Sequence, residues 1–552
     1  MTARLSGWGG LLASGGALAI LIYLYLAFFV PGTLALSPFT IQDDARQFQL
    51  WMPRLADGRL LAGDWMADYW RAVSPPVYRA PFIAAAALGI DPLLLGRIVP
   101  AILLAVSLWA GWRLALKVCG RPRVAFFAAA FLFAYLLHDD SVFSATPRAF
   151  SAPLLLLALN AMLAGRTWLA LALVTLLAAI YPTTAIAAYA IFGLRQLRIG
   201  GPLGLTLPLR ALTPLAAGLA AIVLMALPLS RESASWGPVV TLEQAMDLPN
   251  MNRPEGRSSI VDADGDIAWI CSARMGFLPE AVPCGWGIPG AAPINALLLL
   301  PLIVLAVRSA RGRPGPETAE RNRLYLHALI ACTVCFAAAA LVAFNLHFSG
   351  RYTQRVLGPL EWLAIGQVLG TWLEARARAW SGAVLALLAA LFVTPLPGFV
   401  RPDPGLIRAV RALPPGARIA GVAEELGSIP ALTGRAIAAA PEQAIPWHMG
   451  YYRRFERGLI LSLAAVTAPD SAGVARALSG SGSSYLLVDR RTLEAGVLPE
   501  RYGQIVPGAV RMADAALAAG PSAVQRLAPV CTVYSGPEAS LLSGACLARG
   551  GR

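Results

Sequence analysis

The chain has 552 residues, of which 57% are hydrophobic and 14% charged, and its mean hydropathy is +0.62. These values lie well outside the range of soluble globular proteins and predict a polytopic α-helical membrane protein. The formal net charge of +14 does not indicate nucleic-acid binding, because the basic residues lie between apolar runs and form no basic face with interleaved aromatic side chains.

Eleven apolar runs within the first 396 residues are the candidate membrane spans. The first is interpreted as a retained span, since a signal peptide has a shorter apolar core. The stretch around Pro182 is too long for one span, so it forms either a broken pair of helices or one kinked helix. The runs cover residues 9–30, 98–117, 124–137, 150–165, 167–181, 183–194, 211–229, 291–307, 324–345, 356–373 and 380–396.

The distribution of arginine predicts the orientation of these spans. With a cytoplasmic N-terminus, the inner loops carry many arginines and few acids, whereas the aspartates fall in the outer segments. An odd number of spans then places the chain after about Pro397 outside. We therefore expect a multi-pass protein of the bacterial inner (plasma) membrane with its C-terminal part in the periplasm.

The composition changes after Pro397, which predicts a second domain. Short strand-like segments such as ARIAGV, from residue 417, and SYLLVD, from residue 484, alternate with helical ones. The predicted organisation is a transmembrane domain at 1–396, with large outer loops at 31–97 and 231–290, and a periplasmic α/β domain at 397–552.

The first outer loop contains IQDDARQFQLW, residues 41–51, with the adjacent carboxylates Asp43 and Asp44. Such a pair at the membrane boundary suits two tasks, which are holding a divalent cation and acting as general base on a hydroxyl. The alternative is a helix N-cap, because an amphipathic pattern follows. A cap uses one carboxylate, so we expect at least one to be functional.

A second acidic pair, Asp139 and Asp140, lies in the next outer loop, HDDSVFSATPR at 138–148. Two carboxylate pairs on separate outer loops could converge on one metal ion or substrate. The alternative is a solvated loop tip.

Basic and aromatic residues mark a third outer loop, NLHFSGRYTQR at 345–355, which contains His347, Arg351, Tyr352 and Arg355. Arginine keeps its charge and binds phosphate through two nitrogens, so this loop is suited to a lipid-linked phosphate. The alternative is anchoring to lipid headgroups.

The cysteines of the outer segments predict two disulfides, Cys271–Cys284 and Cys531–Cys546. The segment DADGD, at 262–266, departs from the spacing of a calcium loop and is interpreted as a turn.

The order of these features resembles the GT-C superfamily of integral-membrane glycosyltransferases, which includes lipid A aminoarabinose transferase and the protein mannosyltransferases. The resemblance covers residues 1–396: one span, then a large outer loop with an acidic pair and an interfacial helix, here PFIAAAALGIDPLLLG at 81–96. A C-terminal domain on the outer face is also common there. The family pair is often Asp-Glu followed by an aromatic residue, whereas here Asp-Asp precedes Ala-Arg.

The resemblance implies roles for the candidate residues. Asp43 or Asp44 would be the catalytic base or a metal ligand, and Asp139 with Asp140 would be the second acidic motif, with Mg²⁺ or Mn²⁺ as an optional cofactor. Arg351 and Arg355, together with Tyr352 and His347, would contact the phosphate of the donor.

The implied reaction is an inverting transfer of a sugar from a polyprenyl phosphate to a glycan, lipid or protein acceptor at the periplasmic face. The tryptophans and tyrosine of the first outer loop, which are Trp51, Trp65, Tyr69 and Trp70, would either stack on sugar rings or form an interfacial aromatic belt. A lipid or sugar transporter is disfavoured, because nearly all acids lie in outer loops. A non-catalytic scaffold or assembly subunit stays open.

Overall fold

The computed structural model describes residues 37–199, 205–284, 290–312, 315–375 and 398–551. The first and eleventh predicted spans, at 9–30 and 380–396, lie outside the described residues.

The described chain is mostly helical up to residue 375. Its α-helices are α1 (Ala45–Phe48), α2 (Pro53–Ala56), α3 (Trp65–Ala72), α4 (Pro76–Ala87), α5 (Pro92–Cys119), α6 (Pro122–His138), α7 (Ser151–Leu163), α8 (Thr167–Ala178), α9 (Pro182–Gln196), α10 (Leu209–Ala234), α11 (Leu242–Asp247), α12 (Ala291–Ala310), α13 (Pro316–Leu341), α14 (Gly350–Gln354) and α15 (Leu357–Ala375). The strands of this part are β1 (Ile41–Gln42) and the paired β2 (Arg198–Ile199) and β3 (Leu205–Thr206).

Four of these helices, α5, α10, α12 and α13, are long and apolar enough to cross a membrane, so the chain is a polytopic membrane protein. Each predicted run within the described residues coincides with a helix. The stretch around Pro182 is a broken pair, because α8 ends at Ala178 and Pro182 opens α9, where its missing N–H costs no helix bond.

The prediction of one interfacial helix at 81–96 is wrong. Residues up to Ala87 belong to α4, and Gly89 ends that segment at a φ of +76°. Asp91 then starts the long helix α5, because its carboxylate accepts the amide of Leu93 at 2.9 Å.

Small residues bring α15 close to α6. An added Cβ on Gly366 would lie 2.5 Å from the carbonyl oxygen of Phe127, and one on Gly370 would lie 2.8 Å from the same residue's ring. Glycine permits this approach of two apolar helices. The packing places Asp139, which follows α6, beside Arg355, which precedes α15.

The strands of the C-terminal region are β4 (Phe399–Val400), β5 (Arg418–Gly421), β6 (Ala436–Ile437), β7 (Tyr485–Asp489), β8 (Thr532–Ser535) and β9 (Ala539–Ser543). Five of them form a sheet in the order β6-β5-β7-β9-β8. Strand β5 pairs in parallel with β6 and β7, and the β7–β9 and β8–β9 pairs are antiparallel. The helices are α16 (Pro404–Arg411), α17 (Ile429–Thr433), α18 (Met449–Thr467), α19 (Ser471–Ser481), α20 (Arg490–Ala495), α21 (Glu500–Gly503), α22 (Pro507–Ala519), α23 (Ala523–Cys531) and α24 (Gly544–Ala548).

This region packs directly on the first outer loop. Strand β4 pairs with β1, so that Val400 lies opposite Ile41. The ring of Tyr451 in α18 stacks on Tyr69 at a centroid distance of 3.6 Å. The acidic pair follows β1 immediately, so the C-terminal region helps to fix its position.

The aromatic residues of the first outer loop are buried, contrary to both interpretations of the sequence. Trp51, Trp65, Tyr69 and Trp70 are between 1% and 7% exposed. Trp65 and Tyr69 pack on Tyr451 of the C-terminal region, where burial of large apolar surface stabilises the contact. They therefore form neither an interfacial belt nor a sugar platform.

Two cysteine pairs are joined, Cys271 to Cys284 and Cys531 to Cys546, with Cα–Cα distances of 5.6 and 5.4 Å. The DADGD segment is a turn, in which the carboxylate of Asp262 accepts the amides of Asp264 and Asp266 at 3.0 and 3.2 Å.

Candidate active site

Asp43 and Asp44 point in different directions. Asp44 is the residue before α1, yet its side chain makes no capping bond and instead pairs with Arg148, and its Oδ2 is buried without a hydrogen-bond partner. Asp43 pairs with Arg46, and its amide donates to the carbonyl of Gly398 at 2.6 Å. The N-cap alternative therefore describes neither carboxylate.

Asp139 forms a buried ion pair with Arg355. The guanidinium also donates to the hydroxyl of Ser141 at 2.9 Å, and that hydroxyl donates to Asp139 at 2.6 Å. Burial opposes ionisation of Asp139, but Arg355 and the bonds from Ser141 hold the pKa of this carboxyl below its ordinary value. The same carboxylate raises the pKa of Arg355 against burial.

Asp140 joins the two acidic pairs. Its carbonyl accepts the side-chain amide of Gln42 at 3.3 Å, and a Cβ added to Gly398 would lie 3.8 Å from its Cβ and 3.6 Å from that of Asp43. Burial raises the pKa of Asp140, and the neighbouring charges of Asp44 and Asp139 raise it further. The two pairs thus converge, as a substrate site requires.

Arg351 lies beside this acidic group without an ion-pair partner among the described residues. Its Nε is buried and donates no hydrogen bond within that part of the chain. Burial lowers its pKa, and Arg148 and Arg355 lower it further, while Tyr181 and Asp44 oppose them. A partly buried cation in this state favours an anionic ligand.

Arg274, in the loop closed by the Cys271–Cys284 disulfide, is a site residue that sequence reasoning missed. Its Nη2 donates to the carbonyl of Arg257 at 2.9 Å, and its guanidinium lies 5.4 Å from the ring centre of Phe348. Burial lowers its pKa to about 9, and Arg351 and Arg257 add to the effect. Within the described ranges it has no ion-pair partner either.

The loop that contains Arg274 packs closely on α14, the helix that contains Arg351. The amide of Gly350 donates to the carbonyl of Arg274 at 2.8 Å, and an added Cβ would come within 2.7 Å of that oxygen. A signal in the sequence was available, since an arginine three residues after a bridged outer cysteine is held in a fixed loop.

The remaining two residues of the predicted phosphate group face elsewhere. The hydroxyl of Tyr352 donates to the carbonyl of Leu346 at 2.7 Å, and the ring is 1% exposed. His347 packs on Trp447 at 4.4 Å and accepts the amide of Phe348 at 2.8 Å. Burial and nearby arginines, Arg351 first, lower the pKa of His347 to about 3, so it carries no charge for a phosphate.

The predicted metal ligands are close together but are engaged with cations. Asp44 and Asp139 each pair with an arginine. Nowhere in the described part of the chain do three or more histidine, cysteine, aspartate or glutamate side chains form a group that could hold a metal ion. The donor set present does not fit a resident cation, and the positive charges fit an anion better.

No protein-family model and no curated protein sequence matches the chain. Among solved structures, ArnT from Cupriavidus metallidurans bound to undecaprenyl phosphate matches over 99% of both chains, at 14% identity and a TM-score of 0.47. The oligosaccharyltransferase AglB from Archaeoglobus fulgidus, in complex with an inhibitory peptide and a dolichol-phosphate, matches 90% of this chain and 72% of its own, at 14% identity and a TM-score of 0.46.

The chain is similar to both. A further structure of the Archaeoglobus fulgidus enzyme, tethered to an acceptor peptide, matches 92% of this chain and 72% of its own, at 13% identity and a TM-score of 0.47. These TM-scores are below 0.5, so the function has to follow from this chain's own side chains.

Proposed function

We propose that the protein is a GT-C-type glycosyltransferase that moves a sugar from a polyprenyl phosphate to an acceptor. The observation that carries the proposal is the position of Arg274 and Arg351, two guanidinium groups without a carboxylate partner among the described residues, beside Asp44. Arginine binds phosphate through parallel hydrogen bonds, and the membrane helices next to the site suit a lipid tail.

The chemistry is an inverting displacement. The acceptor hydroxyl oxygen forms a bond to the anomeric carbon, the bond from that carbon to the phosphate oxygen breaks, and its electron pair leaves with the phosphate. Arg274 and Arg351 offset the charge that builds up on this leaving group. Arg355 adds to the positive field while Asp139 holds it in place.

The proton of the acceptor hydroxyl goes to a carboxylate of the acidic pair. Asp44 is the stronger candidate, because its Oδ2 has no partner and it lies among the arginines, whereas Asp43 pairs with Arg46. Asp140, whose pKa is raised, lies next to it as a second acceptor.

A divalent cation is expected from the sequence alone, and none of the proposed steps uses one. Dialysis against a chelator tests it: the described residues lead us to expect unchanged transfer, and restoration of lost activity by Mg²⁺ or Mn²⁺ would establish the cofactor.

We further propose that the site faces the periplasm of a bacterial inner membrane, with the N-terminus cytoplasmic and the C-terminal region outside. The arginine distribution of the loops supports this orientation.

The test is a transfer assay with purified protein and a panel of polyprenyl-phosphate sugars. We expect Asp44→Asn to lower kcat by roughly 10²- to 10⁴-fold, as for loss of a general base, and Asp43→Asn to have a smaller effect. Asp68→Asn is the matched control, because Asp68 lies in the same loop but pairs with Arg54.

Full activity of both Asp43→Asn and Asp44→Asn would refute the mechanism. A wild-type protein that binds no lipid-linked sugar would instead support the non-catalytic scaffold.

A further inference from the structure

Glu442 is a buried carboxylate of the C-terminal region that contacts four side chains from elsewhere in the chain. It lies in the turn Pro441–Gln443 and is 2% exposed. Its two oxygens accept Arg46 at 2.6 Å, Gln47 at 2.6 Å, and both terminal nitrogens of Arg257 at 2.7 and 2.5 Å. Arg501 lies 3.5 Å away.

The partners of Glu442 belong to two different outer loops. Arg46 and Gln47 are in α1, directly after the acidic pair, and the carbonyl of Glu442 accepts a second bond from Gln47 at 2.8 Å. Arg257 belongs to the loop between α11 and α12. One side chain thus joins both loops to the C-terminal region.

Two of these contacts, those with Arg46 and Arg257, continue to the candidate active site. Arg46 also binds the carboxylate of Asp43 and donates from Nε to its carbonyl at 3.3 Å. The carbonyl of Arg257 accepts Nη2 of Arg274 at 2.9 Å. Glu442 therefore lies one residue away from the acidic pair on one side and from the phosphate-binding arginine on the other.

The charge of Glu442 also competes with the acidic pair for two cations, since it binds Arg257 and shares Arg46 with Asp43. Arg46 is 4% exposed, and Arg257 lies close enough to Asp44 to interact with it electrostatically. Without the glutamate, both guanidinium groups would pair with the carboxylates of the site, because an unpaired buried charge is energetically costly. The proton-accepting oxygen of Asp44 would then be occupied.

We propose that Glu442 is a positioning residue through which the C-terminal region sets the active-site geometry. It holds Arg46 and Arg257 in place, and these two residues in turn fix the positions of the acidic pair and Arg274. The catalytic part of this inference rests on the proposed function, whereas the structural part does not.

The test compares Glu442→Gln, which keeps shape and loses charge, with Asp470→Ala. Asp470 caps α19 by accepting the amide of Gly473 at 2.7 Å, so its loss weakens the same region away from the outer loops. We expect Glu442→Gln to lower kcat about 10- to 100-fold, since small misplacement of reacting groups costs that much, with little change in KM for the donor. Asp470→Ala keeps kcat, and Glu442→Asp is intermediate. Glu442→Gln with the kcat of Asp470→Ala would overturn the inference.

Hydrogen exchange separates this inference from the proposed function. We expect Glu442→Gln to speed amide exchange in residues 41–48 and 253–258, whereas strands β5, β7 and β9 stay as protected as in wild type. Exchange equal to that of Asp470→Ala in both segments would overturn the inference, even for a wild type that transfers no sugar. Faster exchange with an inactive wild type would refute only the proposed function.

Discussion

Replacing Arg351 by glutamine should weaken the binding of polyprenyl phosphate without lowering the stability of the lipid-free protein. Arg351 has no ion-pair partner in the described chain, and burial with its arginine neighbours lowers its pKa, so its charge is only partly compensated by Tyr181 and Asp44. Removing it should relieve repulsion in the lipid-free protein. The same change removes a charged donor from the phosphate of the ligand.

The expected loss of affinity follows from the type of bond. A hydrogen bond to a charged group contributes roughly 1.5–3 kcal/mol, and 1.4 kcal/mol corresponds to a factor of about ten. Arg351→Gln should therefore weaken binding of polyprenyl phosphate by about 10- to 150-fold, while the melting temperature of the lipid-free protein stays the same or rises.

The assay is titration of purified protein with polyprenyl phosphate, alongside thermal unfolding. The control is Arg435→Gln, because Arg435 is 6% exposed and donates to the carbonyls of Leu413 and Thr433 at 2.9 and 3.0 Å. That variant should lose stability and keep affinity. Affinity within twofold of wild type for Arg351→Gln, or a clear loss of its stability, would refute the reasoning.

Three further variants test other parts of the site. Asp139→Asn leaves Arg355 without its partner and should lower the free energy of unfolding by roughly 3–5 kcal/mol; an unchanged melting temperature would contradict the buried pair. Asp140 has a raised pKa, so its stabilising contribution is present at acidic pH and is lost as pH rises through that pKa. Asp140→Asn should accordingly raise the melting temperature at pH 7, with a gain that disappears on acidification. A lower melting temperature at pH 7 would contradict the raised pKa of Asp140. Tyr352→Phe removes one hydrogen bond to the carbonyl of Leu346 and should lower the free energy of unfolding by roughly 1 kcal/mol. Its affinity for polyprenyl phosphate should stay within twofold of wild type; a larger loss of affinity would show that the hydroxyl contacts the ligand.

The helices and the acidic loops could be predicted because their signals are local. Long apolar runs mark the spans, and Pro182 marks the break between α8 and α9 by removing a backbone donor. The arginine count predicts that the acidic loops share one face of the membrane, and the structure brings Asp44, Asp139 and Asp140 close together.

The rest depends on contacts between segments far apart in sequence. Glu442 and Arg257 are 185 residues apart in sequence, and no local pattern predicts their ion pair. Trp65 and Tyr69 of the first outer loop have the composition of an interfacial belt, but they pack on Tyr451 of the C-terminal region, which is far away in sequence. Tyr352 and Arg351 are neighbours in sequence, but successive side chains of a helix point in different directions, so the two have different surroundings.

The most direct measurement is an experimental structure of the protein with bound polyprenyl phosphate. We expect phosphate density within hydrogen-bonding distance of the guanidinium groups of Arg351 and Arg274, beside Asp44. Phosphate density elsewhere on the protein, with these arginines contacting no ligand, would contradict it.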